Sequence, residues 1–197
     1  MWWLWLCLLI GAYLMGSIPS AYLLVKLSKG IDIRKVGSGN IGSTNTVRVA
    51  GPWAGIAVFL MDSLKGVIPA VVGLFLGGED LAMAAGLVAF FGHLFPLWLH
   101  FKGGKGVATA IGVAFVLLPW GALITFAFWF AMVLVSGYVS LASCAAGVML
   151  VIISLCSDNS LFVNVLIVIM IASVIIKHRS NFRNIKNGTE GRAFRPK

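Results

Sequence analysis

VATAIGVAFVLLPWGALITFAFWFAMVLVS, residues 107–136, is a run of thirty residues without one charged or histidine side chain. A helix needs about 20 mostly apolar residues to cross the hydrocarbon layer of a bilayer. A greasy run of this length in a water-soluble fold would leave a large apolar surface in water. Extended outward, the run continues almost unbroken from about residue 104 to residue 177, with breaks only at Pro119-Trp120, Ser136-Gly137-Tyr138 and Ser157-Asp158-Asn159. The whole chain is 60% hydrophobic and 11% charged, with a mean hydropathy of +1.00. A soluble domain is nearer about 45–50% and about 25%, so that class is excluded.

The breaks divide the stretch into four helices, near 104–118, 120–136, 138–156 and 160–177, and three earlier spans are expected near 2–27, 52–76 and 81–99. The expected fold is all-α: a polytopic membrane bundle of seven transmembrane helices, with five as the alternative if segments after residue 106 merge or fail to cross. At 197 residues the chain has length for one domain, 1–197, and none for a separate soluble catalytic domain,. Chemistry must therefore sit in the bundle or its short loops. Cys7, Cys144 and Cys156 lie in apolar stretches with no C-x-x-C spacing, so they read as small hydrophobes,. The N-terminal MWWLWLCLLIGAYLMG lacks a basic start and a cleavage site and is read as a retained span,.

Lys and Arg stay on the cytoplasmic side of a membrane. Fourteen of the fifteen fall into three clusters: Lys26, Lys29, Arg34, Lys35 and Arg48; Lys102 and Lys105; and Lys177, Arg179, Arg183, Lys186, Arg192, Arg195 and Lys197. With seven spans the three clusters share one face, and the opposite loops carry only Glu79, Asp80 and Asp158. The N-terminus is thus expected outside, anchored by Trp2, Trp3 and Trp5, and the C-terminus in the cytoplasm. A five-span chain that loses an even number of crossings after residue 106 has the same sidedness. The net charge of +9 is placed for anionic substrates or lipid headgroups, and nucleic acid is not expected as a partner,.

The clusters hold more than stop signals. GIDIRKVGSGNIGSTNTVR, residues 30–48, sets Gly37, Gly39 and Gly42 among Ser38, Asn40, Ser43, Thr44, Asn45 and Thr46. Glycines admit an anion close to backbone N–H groups, hydroxyls and amides add donors, and Arg48 can bind phosphate bidentately. Thr44 or Asn45 is also placed to cap the helix that follows. A flexible polar turn is the plainer reading of this loop taken alone.

GHLFPLWLHFKGGKG, residues 92–106, joins Lys102 and Lys105 to Gly103, Gly104 and Gly106. It is no Walker A loop, because Gly106 follows the lysine and Leu99 stands where the first glycine belongs,. A phosphate cradle or a basic lipid anchor remains. His93 and His100 have weaker claims.

KHRSNFRNIKNGTEGR, residues 177–192, places His178 and Asn181 on one face if the helix continues, as a proton acceptor and an orienting amide,. Glu190 suits an ion pair with a nearby arginine. Asp62 and Lys65, three apart inside the second span, are read as a structural pair, because an ionised group at membrane depth costs roughly 2.5–3.5 kcal/mol. Ser140 and Ser143 can donate into the same site or satisfy helix carbonyls.

These segments carry a resemblance. GSIPSAYL (16–23), GSGNIGSTN (37–45), DSLKG (62–66), GHLFPLWLHFKGGKGVAT (92–109), YVSLAS (138–143), KHRSN (177–181) and NGTE (187–190) resemble the bacterial acyl-phosphate:glycerol-3-phosphate acyltransferases over nearly the whole chain, in order. The resemblance implies transfer of a fatty acyl group from acyl-phosphate to the sn-1 hydroxyl of glycerol 3-phosphate, giving lysophosphatidic acid and phosphate in phospholipid synthesis. It implies a multi-pass protein of the bacterial inner membrane with its site facing the cytoplasm.

By the family's motifs, Ser38, Arg48, Lys105, His178 and Asn181 stand at the reacting centre. Gly37, Gly39, Asn40, Gly42, Thr44, Asn45, Lys102, Gly103, Gly104, Gly106, Ser140 and Ser143 are the candidates for phosphate binding, and Asp62, Lys65 and Glu190 are structural. Ser43, Phe182 and Asn184-Ile185 depart from the family pattern.

Acyl-phosphate is an activated mixed anhydride, so no metal, cofactor or covalent nucleophile is called for, and no obligate protein partner is expected beside membrane lipids. The hydroxyl proton can pass to His178 or to a substrate phosphate oxygen. Two rivals remain: a transporter or flippase of phosphorylated lipids or metabolites, and a scaffold that binds acidic lipid.

Overall fold

The computed structural model describes residues 2–193, so Arg195 and Lys197 of the basic tail lie outside the described residues. The chain divides between Leu117 and Leu118 into two compact units.

In the first unit the expected opening span is two helices, α1 (Trp2–Ser17) and α2 (Ser20–Lys29). Pro19 has no N–H to donate and breaks the ladder, and at the break the Ile18 carbonyl accepts from the Ser20 N–H at 3.0 Å. A 3-10 turn (Ile33–Lys35) and α3 (Ser43–Ala50) follow. Then comes α4 (Pro52–Leu94), which is interrupted at Gly77 and Gly78, the latter at φ 76°. The left-handed backbone there suits glycine, and it folds α4 into a hairpin of two legs, 52–76 and 79–94. A Cβ on Gly73 would lie 2.7 Å from the Ala82 Cα, far closer than nine residues of straight helix allow,. Helix α5 (Val107–Leu117) closes the unit.

Packing is by small residues, as lipid requires. Leucine is as much at home in hydrocarbon as in protein, so helices gain by backbone approach rather than by hiding side chains. Gly16 of α1 meets Ala89 of the second leg, while Gly66 of the first leg meets the Thr109 carbonyl and Gly112 of α5 meets Ser63. Large apolar side chains such as Leu64, Phe75, Phe130 and Val135 face outward.

The hairpin has a further consequence. The segment before Pro52 and the segment after Leu94 must emerge at the same end. There Ala21 and Val25 of α2, Ile33 and Ile41 of the first loop, Val58 of α4 and Leu99 of the second loop form one buried cluster. Glu79 and Asp80 sit at the opposite end, beside the bend.

The second unit comprises α6 (Pro119–Ser136), α7 (Val139–Leu155), α8 (Leu161–Lys177) and α9 (Arg179–Lys186). Gly147 of α7 accommodates Ile171 of α8. The α7–α8 turn is held by Ser154, which donates to Asn164 at 2.5 Å, while Asn159 donates to the Ser154 carbonyl at 3.1 Å. Helices α8 and α9 meet at 44°.

The chain is an all-helical membrane protein among its described residues, and helices stand in all the expected apolar segments, with changed bounds. By length and apolarity three stretches suffice to cross: Trp2–Lys29, Pro52–Leu99 and Pro119–Ser136, with the bent pair of α8 and α9 as a fourth. The helix expected over 104–118 begins only at Val107, because Gly106 holds φ 81°. At eleven residues it is about 16 Å long, roughly half the hydrocarbon thickness,.

Because Gly16 has no room for a side chain, Gly16→Leu should lower the apparent melting temperature by several degrees, the expected result of about 1–3 kcal/mol of overpacking. Thermal unfolding in detergent checks this.

Candidate active site

The first loop is organised from within by Asn45. Its side chain is buried and reaches back out of α3: the amide oxygen accepts from the Ser38 N–H at 2.8 Å, and the amide nitrogen faces the carbonyls of Asn40 at 3.0 Å, Val36 at 3.1 Å and Ile33 at 3.3 Å. Gly37 lies against the Asn45 amide oxygen, and Gly42 against Asn40. The expectation that Thr44 or Asn45 caps the helix is corrected: Gly42 is the N-cap, with no side-chain cap bond, because Asn45 lies inside the first turn and bonds the loop instead. Asn45 is thus scaffold by its contacts. Ser38 is held by its backbone with an exposed side chain, and Arg48 projects from the last turn of α3, also exposed.

Asp32 begins the 3-10 turn. It accepts from the Arg34 backbone and from the Arg34 guanidinium at 2.9 and 2.7 Å, and this hydrogen bonding lowers its pKa from 3.8 to about 2. The same guanidinium lies 4.8 Å over the Tyr22 ring.

The second loop folds onto the end of α4. The Gly104 N–H donates to the His93 carbonyl and the Gly103 N–H to the Leu94 carbonyl, both at 3.2 Å. Carbonyls at a helix C-terminus lack helical partners, and these glycine amides satisfy two of them. The expected cradle of glycine N–H groups is therefore modified, since these two are turned toward the helix. Gly106 sits under the Phe90 ring at the start of α5. Lys102 is exposed and Lys105 half-buried.

Asp62 and Lys65 form a buried ion pair at 2.5 Å, and Lys65 also donates to the Ile18 carbonyl at 2.5 Å. His93 Nδ1 lies 3.8 Å from the same Asp62 oxygen. Within this unit, then, both acids at the loop-bearing end are held by a cation on their own segment, while Arg48, Lys102 and Lys105 stand at that end. The resulting field favours anions.

In the second unit His178 is buried at the bend between α8 and α9, so His178 and Asn181 flank a turn instead of sharing a straight face. His178 Nδ1 lies 2.8 Å from the Val174 carbonyl. That bond needs the proton on Nδ1, which in the neutral ring leaves Nε2 as the basic nitrogen. Asn181 donates to Glu190 at 2.7 Å, and Ser140 donates to the same carboxylate oxygen at 3.0 Å. The described partners of Glu190 are a hydroxyl and amides, where an arginine was expected. A carboxylate here ties α7 to α9 through uncharged donors that its charge strengthens.

Ser143 donates to the Val139 carbonyl at 2.8 Å and accepts from Trp129 Nε1 at 3.1 Å, so it satisfies helix backbone. Trp129 was not singled out in the sequence, where a tryptophan in an apolar helix carries no distinguishing signal. Arg192 lies 5.2 Å over the Tyr138 ring, and the Ala193 N–H donates to the Gly137 carbonyl at 2.8 Å, so the tail lies along the α6–α7 turn. Among the described residues no set of three His, Cys, Asp or Glu side chains is grouped to hold a metal ion.

The profile of the glycerol-3-phosphate acyltransferase family matches residues 6–188. The glycerol-3-phosphate acyltransferase of Geobacter sulfurreducens is 45% identical over 183 residues, covering 92% of this chain and 93% of its own. That of Sinorhizobium medicae is 42% identical over 186 residues, covering 94% and 90%. The crystal structure of PlsY, an integral membrane glycerol 3-phosphate acyltransferase, in its glycerol 3-phosphate form superposes with a TM-score of 0.92 at 40% identity, covering 95% of this chain and 94% of that one. Its lysophosphatidic acid form gives 0.90 at 39% identity over the same shares.

Two predictions follow the loop's construction. Asn45→Ala should strand buried backbone groups at about 1–3 kcal/mol each, lowering the apparent melting temperature and exposing the first loop to protease. Separately, Asp32 should titrate near 2 in a carbon-detected NMR experiment. With its folded pKa below the unfolded one, its contribution to the turn is present above about pH 4 and lost as pH falls through about 2.

Proposed function

The chain belongs to the glycerol-3-phosphate acyltransferase family, the acyltransferases that serve phospholipid synthesis, and from that premise we propose that it moves a fatty acyl group from acyl-phosphate to the sn-1 hydroxyl of glycerol 3-phosphate. The hydroxyl oxygen attacks the acyl carbonyl, the bond to the phosphate oxygen breaks, and lysophosphatidic acid and phosphate leave. Its relatives are acyltransferases, which does not favour a transporter.

The observation that carries the reading is the pairing of two glycine loops at one end of the α4 hairpin, with a positive field and with the acids there held by their own cations. Two phosphorylated molecules repel each other, and a fixed cationic surface offsets that repulsion without reorganising during the reaction. The donor is already activated, so positioning and electrostatics suffice.

In this reading Arg48, Lys102 and Lys105 bind phosphate, with the Ser38 hydroxyl as a further donor, and the loop glycines admit the phosphate or shape the loops. His178 Nε2 takes the hydroxyl proton, or a substrate phosphate oxygen does. Asn181 takes part in the reaction, with its amide oriented by Glu190. Residues 1–197 act as a single acyltransferase domain. The protein sits in the bacterial inner membrane with seven crossings, its N-terminus outside and its loops and C-terminus in the cytoplasm. The cationic loops and the acids at the hairpin bend support this sidedness.

Purified protein in lipid mesophase should release phosphate from acyl-phosphate when glycerol 3-phosphate is added, without metal or nucleotide. Folded protein that releases none rejects the function. Ser38→Ala, Arg48→Ala, Lys105→Ala and His178→Ala should each slow turnover at least about tenfold, the scale of losing one transition-state contact. Wild-type rates in all four would reject the roles assigned to them.

A further inference from the structure

His93 stands at the end of the second leg of α4, 6% exposed, one residue before the helix ends at Leu94. A buried histidine with a satisfied ring is ordinarily just core. Two features set this one apart. Its Nδ1 faces the Asp62 carboxylate at 3.8 Å, and Asp62 is already tied to Lys65 and, through it, to the carbonyl at the α1–α2 break. Its other edge lies on the backbone of Gly104: a Cβ at that glycine would overlap His93 Nε2, and the nearest three atoms it would meet all belong to the imidazole. The residue's own carbonyl accepts the Gly104 N–H at 3.2 Å, so side chain and main chain of one residue grip the same point of the loop.

We infer that His93 is a positioning residue for the second glycine loop, its ring setting where Gly104, and with it Lys105, lies relative to the ion pair in the first unit. The ring is a rigid plate between a carboxylate whose place is fixed by Lys65 and a backbone that has no side chain to keep it away. Gly104 is a glycine here because the plate occupies the position its Cβ would take. Lys105 follows directly, so its starting point is determined by a contact within the membrane segment. Ile18, Lys65, Asp62, His93 and Gly104 thereby form a continuous chain of contacts from the break in the first span to the lysine loop. A flexible loop would present its lysines over many geometries, whereas an electrostatic site requires them held in place.

The kinetic arm of the test rests on the acyltransferase reading; the stability arm does not. Wild type, His93→Ala, Gly104→Ala and the double variant are compared in lipid for melting temperature and for KM and kcat with both substrates. Gly104→Ala should lower the melting temperature and raise the KM of a phosphorylated substrate about tenfold. His93→Ala should raise the same KM by a similar factor with a smaller effect on kcat.

The double variant should recover toward wild type relative to Gly104→Ala, because the methyl group then occupies space the ring has vacated, so the two losses do not add. Additive losses, or variants whose KM values for both substrates match wild type, overturn the inference. If wild type itself is inactive, the acyltransferase reading has failed, and the coupling in melting temperature still decides the contact: recovery in the double variant supports it and additivity sinks it. If neither glycine variant folds, His93→Ala alone decides, by whether KM moves.

Discussion

A lysine ammonium buried at 4% exposure between a carboxylate and a helix-break carbonyl is the interaction on which the first unit depends. Hydrocarbon offers no water to a charge or to an orphaned carbonyl. At the Pro19 break the Ile18 carbonyl accepts from the Ser20 N–H, and Lys65 adds a charged donor to it while neutralising Asp62. Were either charge absent, the other would lose its counter-charge at membrane depth, and without Lys65 the break in the first span would also lose its charged donor. The close approaches of α1, α4 and α5 through Gly16, Gly66 and Gly112 put these groups within reach of one another.

The polar loops are built on that platform by different means. The first is a shell of backbone wrapped around one asparagine amide, which meets four main-chain groups at once. The second is laid onto a helix end, where glycine N–H groups satisfy terminal carbonyls and the lysines follow at fixed points. In both cases polar residues that look like ligands by type spend themselves on architecture, while Arg48 and Lys102 stand exposed and Lys105 half-buried at that end of the hairpin. Glu190 plays the corresponding part in the second unit, drawing Ser140 and Asn181 onto one oxygen so that the amide has a defined orientation.

Legibility differed by element. Hydrophobic runs bounded by glycine, proline and serine announced a helix in each apolar segment, since crossing a bilayer demands length and apolarity that little else produces. The motifs GSGNIGSTN and FKGGKG were visible because glycines crowd beside cations only where backbone geometry matters. The roles within them were less visible. Asn45 looked like a donor to substrate and is a tie within the loop. Gly103 and Gly104 looked like anion donors, and their amides face helix carbonyls. His93 had only a weak claim by sequence, and it lies between an acid and a glycine, Asp62 and Gly104, that are 42 residues apart along the chain.

Composition and order of residues by themselves determined that the chain is helical and lives in a membrane, and which loops carry cations, because those properties depend on local apolarity and on charge counted along the chain. Tertiary structure alone decided that residues 52–94 double back at Gly78 and that Lys65 seals a break forty-seven residues away. It also decided that glycine 104 yields its space to an imidazole. Each of these is a contact between segments remote in sequence, and the choice among possible partners is made by the packing of backbones at small residues, which no single stretch of sequence records.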